Sequence, residues 1–175
     1  MDEKHKVFIT YYHEDDQESR GKFEELFGDI FTSKSVEDGD IDSDNSDEYI
    51  KQLIRKDFIS DASVIVVLIG PNTKNRKHVD WEIYAGLDGT AKGHSGVVGI
   101  LLPSFNLTPD NKYNYEDIPP RLADNVKTGY SEVYGWDWVC ANNERIAKAI
   151  QDAFDKRIDD KDKIDNNREQ FKQNR

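Results

Sequence analysis

Six consecutive apolar residues, Val64-Ile65-Val66-Val67-Leu68-Ile69, constrain this chain more than any other feature. A run rich in β-branched side chains with no polar alternation predicts a strand buried on both faces, as in a parallel sheet covered by helices. The run stops at Gly70-Pro71-Asn72, and a basic loop, Thr73-Lys74-Asn75-Arg76-Lys77, leads into His78-Val79-Asp80-Trp81-Glu82-Ile83-Tyr84. In such sheets ligands gather beyond the carboxyl ends of the strands. The loop, Trp81 and Glu82 are expected there.

The other elements fall into place around that strand. Val7-Phe8-Ile9-Thr10-Tyr11-Tyr12 reads as a first strand, and Gln17 to Phe27 as a helix capped by Asp15 or Asp16. A short strand is expected within Ile30 to Val36, then a polar stretch from Glu37 to Glu48. Asp47 to Ile59 has helical spacing of Ile50, Leu53, Ile54, Phe58 and Ile59, with Ser46 as its cap. A helix is expected from about His78 to Leu87, and a fourth strand from Val97 to Leu102, ended by Pro103. Ser104 to Lys127 reads as irregular because of Pro109, Pro119 and Pro120. A last strand is expected over Glu132 to Trp136, then a helix capped by Asn142 or Asn143, with Ile146, Ala149, Ile150 and Phe154 facing inward.

Strands alternating with helices predict an α/β three-layer sandwich, a parallel sheet of about five strands with helices on both faces. One domain is expected over residues 1–158. Residues 159–175 are dense in charge, with Ile164 and Phe171 the apolar exceptions. They read as a charged tail that continues the last helix into solvent or frays.

Composition narrows the function. At 175 residues the chain can bury a core without disulfides. The lone Cys140 and the lack of any CxxC or Cys/His cluster suggest no zinc and a reducing, cytoplasmic setting. The apolar runs are too short to span a bilayer, and Met1 to Lys6 lacks the apolar core of a secretory signal, so no membrane partner is expected. A net charge of −11 argues against nucleic acid, whose phosphates demand clustered Lys and Arg. The patch Lys74-Asn75-Arg76-Lys77-His78 serves either a bound phosphate or solvent. No metal site is expected. The acidic run Asp38-Gly39-Asp40-Ile41-Asp42-Ser43-Asp44 lacks a calcium loop's glycine at its sixth position, and Tyr49 stands where the ligating glutamate belongs. The glycines from Gly86 to Gly99 form no phosphate loop and read as turn residues.

Two segments resemble a known family. Val7-Phe8-Ile9-Thr10-Tyr11-Tyr12-His13 is similar to the opening strand and loop of TIR-like domains. Ser46 through Ile83, with Val67-Leu68-Ile69-Gly70, Thr73, Asn75-Arg76, Val79 and Trp81-Glu82-Ile83, resembles the bacterial TIR-like family that includes the TIR subunit of the Thoeris anti-phage system. The resemblance implies a flavodoxin-like fold and cleavage of NAD, as substrate and not cofactor, at the nicotinamide–ribose bond. It further implies an ADP-ribose-type, possibly cyclic, signal that reaches a cognate effector, and self-association into a homo-oligomer. The family's catalytic glutamate falls on Glu82. Thr10, Tyr11, Tyr12 and His13 correspond to the loop lining the nucleotide site, and Gly70, Arg76 and Trp81 join the substrate-binding set.

The residues suit that chemistry. Expelling nicotinamide leaves a sugar cation, which a fixed carboxylate in a dry pocket stabilises. Each residue also has a plainer reading. Glu82 favours the positive end of its own helix, worth about 0.3–1 kcal/mol. Trp81 serves packing, and Arg76 pairs with a local acid. Tyr11 and Tyr12 point to opposite faces of a strand, so at most one meets a ligand while the other packs. His78 and Glu82, four apart, share a helix face as metal ligands or as a surface pair. Two other functions stay open: a non-catalytic adaptor that acts by association, and a nucleotide-binding or transferase domain.

Overall fold

A computed structural model describes residues 4–36, 40–42, 44–90 and 93–175. Five strands, β1 (Lys6–Thr10), β2 (Thr32–Lys34), β3 (Val64–Ile69), β4 (Gly96–Leu101) and β5 (Glu132–Gly135), form one sheet. The order is β2-β1-β3-β4-β5 and every pairing is parallel. This is the flavodoxin-like order, in which the winding reverses between β1 and β3 and a crevice opens at their carboxyl ends. The acidic run expected at Asp38–Asp44 lies partly outside the described residues.

All six residues of β3 are buried, and their alternation divides the core in two. Ile65, Val67 and Ile69 face α2 (Asp47–Leu53), α3 (Lys77–Asp88) and α4 (Pro120–Thr128). Val64, Val66 and Leu68 face α1 (His13–Phe27), α5 (Trp136–Cys140) and α6 (Asn143–Asp159). Two apolar faces on one strand therefore hold three layers together. Gly96 has a further reason in this packing: a Cβ on it would lie 2.0 Å from the Ala153 carbonyl oxygen of α6. Gly86 and Gly96 are close-approach residues, and of the glycines read as turn formers only Gly89 and Gly93 have positive φ.

Several local expectations need correction. Helix α1 starts at His13, four residues early, and kinks at Asp16. Ser46 caps α2 as expected, accepting a hydrogen bond from the Tyr49 N–H. Beyond Leu53 the chain widens into a π-helical turn, Ile54–Ile59. That wider turn lets Ile54 and Ile59, five residues apart, both face inward. The stretch taken as irregular contains α4, because Pro120 occupies the first helical position, where its missing N–H is harmless.

The largest correction concerns residues 159–175, which neither extend into solvent nor fray. After a 3-10 turn at Lys161–Lys163 the chain doubles back as a strap over α4 and α3. Phe171 is buried; its N–H donates to Asp80 Oδ2 at 2.8 Å, and its carbonyl accepts the Trp81 indole N–H at 2.8 Å. Asn125 Nδ2 donates to the Asp165 carbonyl, and the Asp165 N–H donates to Asn125 Oδ1. Arg168 pairs with Asp124 through two nitrogens. Polar side chains hold this segment where apolar content alone would not.

Beneath the strap lies a buried ion pair. Arg121 Nε meets Asp80 Oδ1 at 2.9 Å, with both side chains almost wholly buried. Arg121 Nη1 also donates to Asn166 Oδ1, so α3, α4 and the strap share one polar centre. Removing one partner of such a pair leaves an uncompensated buried charge. Arg121→Met is therefore expected to lower stability by about 3–5 kcal/mol in urea unfolding, with the m-value unchanged if the strap stays docked.

Candidate active site

The crevice predicted by the strand order is present. A cavity of about 600 Å³ opens at the carboxyl end of β1, lined by Tyr11, Tyr12, His13, Glu14, Gln17, Val36, Arg76, His78, Val79, Glu82 and Asn174. The β1–α1 turn supplies its first wall, α3 its second, and the strap reaches its mouth through Asn174.

Glu82 sits on α3, one turn beyond His78, and both face the cavity. It is 4 % exposed. Burial disfavours its charged form and raises its pKa to about 8. The neighbouring Thr10 side chain opposes that rise slightly. Thr10 itself is buried beneath the cavity, and its hydroxyl falls short of a well-formed hydrogen bond. The carboxyl is thus almost wholly buried where it meets the cavity. His78 is shifted down by burial and by Lys77, His13 and Arg76, which favours the neutral imidazole.

The remaining wall is aromatic and basic. Strand β1 ends at Thr10, so strand alternation does not govern the two tyrosines, and both line the cavity. Tyr11 is buried, donates to Gln17 Oε1 at 2.8 Å and stacks on His13. The Tyr12 hydroxyl donates to Glu14 Oε2 at 2.6 Å, and the Arg76 guanidinium lies 4.2 Å from the centre of the Tyr12 ring. Arg76 is thereby held against the Tyr12 ring where it lines the cavity.

Of the expected site residues, Glu82, Tyr11, Tyr12, His13 and Arg76 line one cavity. Thr10, Gly70 and Trp81 do not. Thr10 supports Glu82 from below. The Gly70 N–H donates to Thr73 Oγ1, and a Cβ on Gly70 would lie 2.6 Å from Asp16 Oδ2. Gly70 therefore makes room for the inward-turned Asp16, whose pKa burial and Asp15 raise to about 6. Trp81 is 1 % exposed and packs away from the cavity, its ring close to the ammonium groups of Lys51 and Lys77. It fastens the strap and is not a stacking platform.

Sequence reasoning missed Glu14, Gln17, Val36, Val79 and Asn174. Val79 was legible in hindsight, three residues before Glu82 on one helix face. Asn174 gave no signal, because only the chain's return brings it near. Among the described residues, no group of three His, Cys, Asp or Glu side chains is placed to hold a metal ion. Nor is any helix among them long and apolar enough to cross a membrane. A second cavity of about 880 Å³ lies beside β4 and β5, lined by Phe105, Tyr113, Tyr134, Trp136 and Trp138 among others. Its one carboxylate, Asp137, is exposed, so it lacks a buried acid.

The domain is of the doubly wound parallel α/β class, whose ligand clefts lie at the switch point where Glu82 is buried. The comparisons narrow that class. Residues 8–106 match the family described as Thoeris protein ThsB, TIR-like domain, and the chain belongs to that family. Similar solved structures include the TIR domains of the activated Roq1 resistosome directly recognizing the pathogen effector XopQ. That likeness is distant: TM-score 0.41 and 13 % identity, over 87 % of this chain and 84 % of the other. No curated protein matches the chain significantly.

The acid at the centre of the site gives a thermodynamic signature. The folded protein keeps a proton on Glu82 up to about pH 8, whereas the ordinary carboxyl value is 4.5. Between the two values the native state binds more protons, so this group's contribution to stability falls as pH rises. Glu82→Gln removes the effect. Its stability relative to wild type should climb between pH 4.5 and about pH 8, at up to about 1.4 kcal/mol per pH unit, and then level off. Parallel curves in scanning calorimetry would show that Glu82 ionises as an ordinary carboxyl.

Proposed function

We propose that this domain cleaves NAD at the nicotinamide–ribose bond and releases an ADP-ribose-type signal in anti-phage defence. The observation that carries the reading is Glu82, a carboxyl buried in a 600 Å³ cavity at the β1/β3 switch point. Family membership supports it.

The chemistry follows from the environment. When the C–N bond breaks, the electron pair leaves with nicotinamide, and positive charge grows on the ribose. A carboxylate in a dry site stabilises that charge far better than one in water, where the solvent screens it. Burial holds the proton on Glu82 at neutral pH. The nicotinamide ring of bound NAD is cationic, and a nearby positive charge favours the ionised carboxyl. The substrate thus helps to generate the group that acts on it. Arg76, held against the Tyr12 ring, suits the pyrophosphate. Water capturing the sugar cation gives ADP-ribose and a proton. A hydroxyl or ring nitrogen of the same molecule gives a cyclic product, which the Tyr11, Val36 and Val79 walls favour by limiting water. In this reading NAD is the substrate, no further cofactor takes part, and the product carries the signal to a separate effector.

The test is nicotinamide release from NAD, by purified protein and by lysates of phage-challenged cells that express it. Glu82→Gln should reduce release on the order of a hundredfold or more, with the fold intact by circular dichroism. Undiminished release would remove Glu82 from the chemistry; intact defence without any NAD loss would leave the adaptor function instead. Free enzyme must lose the Glu82 proton before it acts, so kcat/KM should rise with pH to about 8 and level off above it.

A further inference from the structure

We propose that Asn174, carried to the cavity mouth by the strap, is a substrate-contacting residue that donates a hydrogen bond to the pyrophosphate of the bound nucleotide. The proposal rests on the nucleotide reading above for the identity of the ligand. Its geometry stands on the strap itself.

Asn174 lies far outside residues 8–106, the part shared with the family, yet it lines the same cavity as Glu82 and Arg76. Its position is fixed from three sides. Phe171 is anchored between Asp80 and Trp81, three residues earlier. The Arg175 N–H donates to the Asn75 carbonyl at 2.8 Å, one residue later. The Arg175 guanidinium folds back to 4.1 Å from the centre of the Phe171 ring. These contacts hold the chain on either side of Asn174, an exposed residue, at the cavity.

Its amide is oriented as well. The Lys77 N–H donates to Asn174 Oδ1 at 2.9 Å. Only an oxygen can accept there, so the NH2 end must point elsewhere. Arg76, at the start of α3, offers no side-chain cap of its own, and Asn174 supplies that function from the strap. Satisfying the helix with Oδ1 leaves Nδ2 as a donor at the cavity mouth. Beside it stand the Arg76 guanidinium and the amino end of a twelve-residue helix, both of which favour an anion. A nucleoside diphosphate meets all three with its phosphate oxygens.

The test uses NAD, ADP-ribose and nicotinamide riboside, which lacks phosphate, titrated into the full-length Glu82→Gln protein so that no turnover intervenes. Asn174→Asp keeps an acceptor for the Lys77 N–H and replaces the Nδ2 donor by a carboxylate oxygen. Its melting temperature should hold, while binding of NAD and ADP-ribose weakens more than about tenfold and riboside binding stays the same. Asn174→Ala should weaken NAD and ADP-ribose by about tenfold, without the added repulsion. NAD binding unchanged in Asn174→Asp, or NAD and riboside weakened alike, would overturn the proposal. If phosphate-selective weakening is seen but the Glu82-intact protein never releases nicotinamide, the cleavage reading fails and the Asn174 contact stands. A parent protein that binds neither NAD nor ADP-ribose overturns both.

Discussion

The buried pair of Asp80 and Arg121 organises the half of the molecule that carries the site. Two opposite charges without water are tolerable only when every remaining donor and acceptor is met. Here Asp80 also accepts from the Phe171 N–H, and Arg121 also donates to Asn166. Meeting that requirement draws in the strap, whose Phe171 and Asn166 lie 91 and 45 residues away from these partners in the chain. The ion pair is thus less a source of stability than a reason for the strap to settle in one place. On the same helix, two residues along, Glu82 has nothing comparable. One acid is fully partnered and the other is nearly alone, and their roles diverge accordingly.

Burial at Glu82 is where structure becomes chemistry. The sheet order places a crevice between β1 and β3, and α3 delivers the carboxyl into it from one side. Little around it holds the charge, so its charged form is disfavoured until a cation arrives. Neutral His78, four residues earlier, adds no competing charge to the same wall.

The fold was legible where hydrophobic pattern decides it. Val64 to Ile69 has one plausible state, and Val7 to Ile9 and Val97 to Leu101 follow it into the sheet. Helix α4 escaped notice because Pro119 and Pro120 were read as breakers, although proline opens a helix as readily as it ends one. Local pattern also misplaced Tyr11 and Tyr12, since the strand stops at Thr10 and both rings turn to one side. Trp81 joined the substrate-binding set only through the resemblance; adjacent helical residues lie about 100° apart, and Trp81 packs as its plainer reading expected. Glu82 emerged from family resemblance more than from its own spacing. Ile164 and Phe171 were the strap's only trace in the sequence, because its other anchors are hydrogen bonds to residues far away in the chain.

Helix α3 bears the cavity's acid on one flank and the strap's indole clasp on another. A change in the last dozen residues therefore reaches the chemistry through a single rigid rod, without disturbing any strand. The outline of the cavity can in this way be rewritten at an edge, while the sheet keeps the same register.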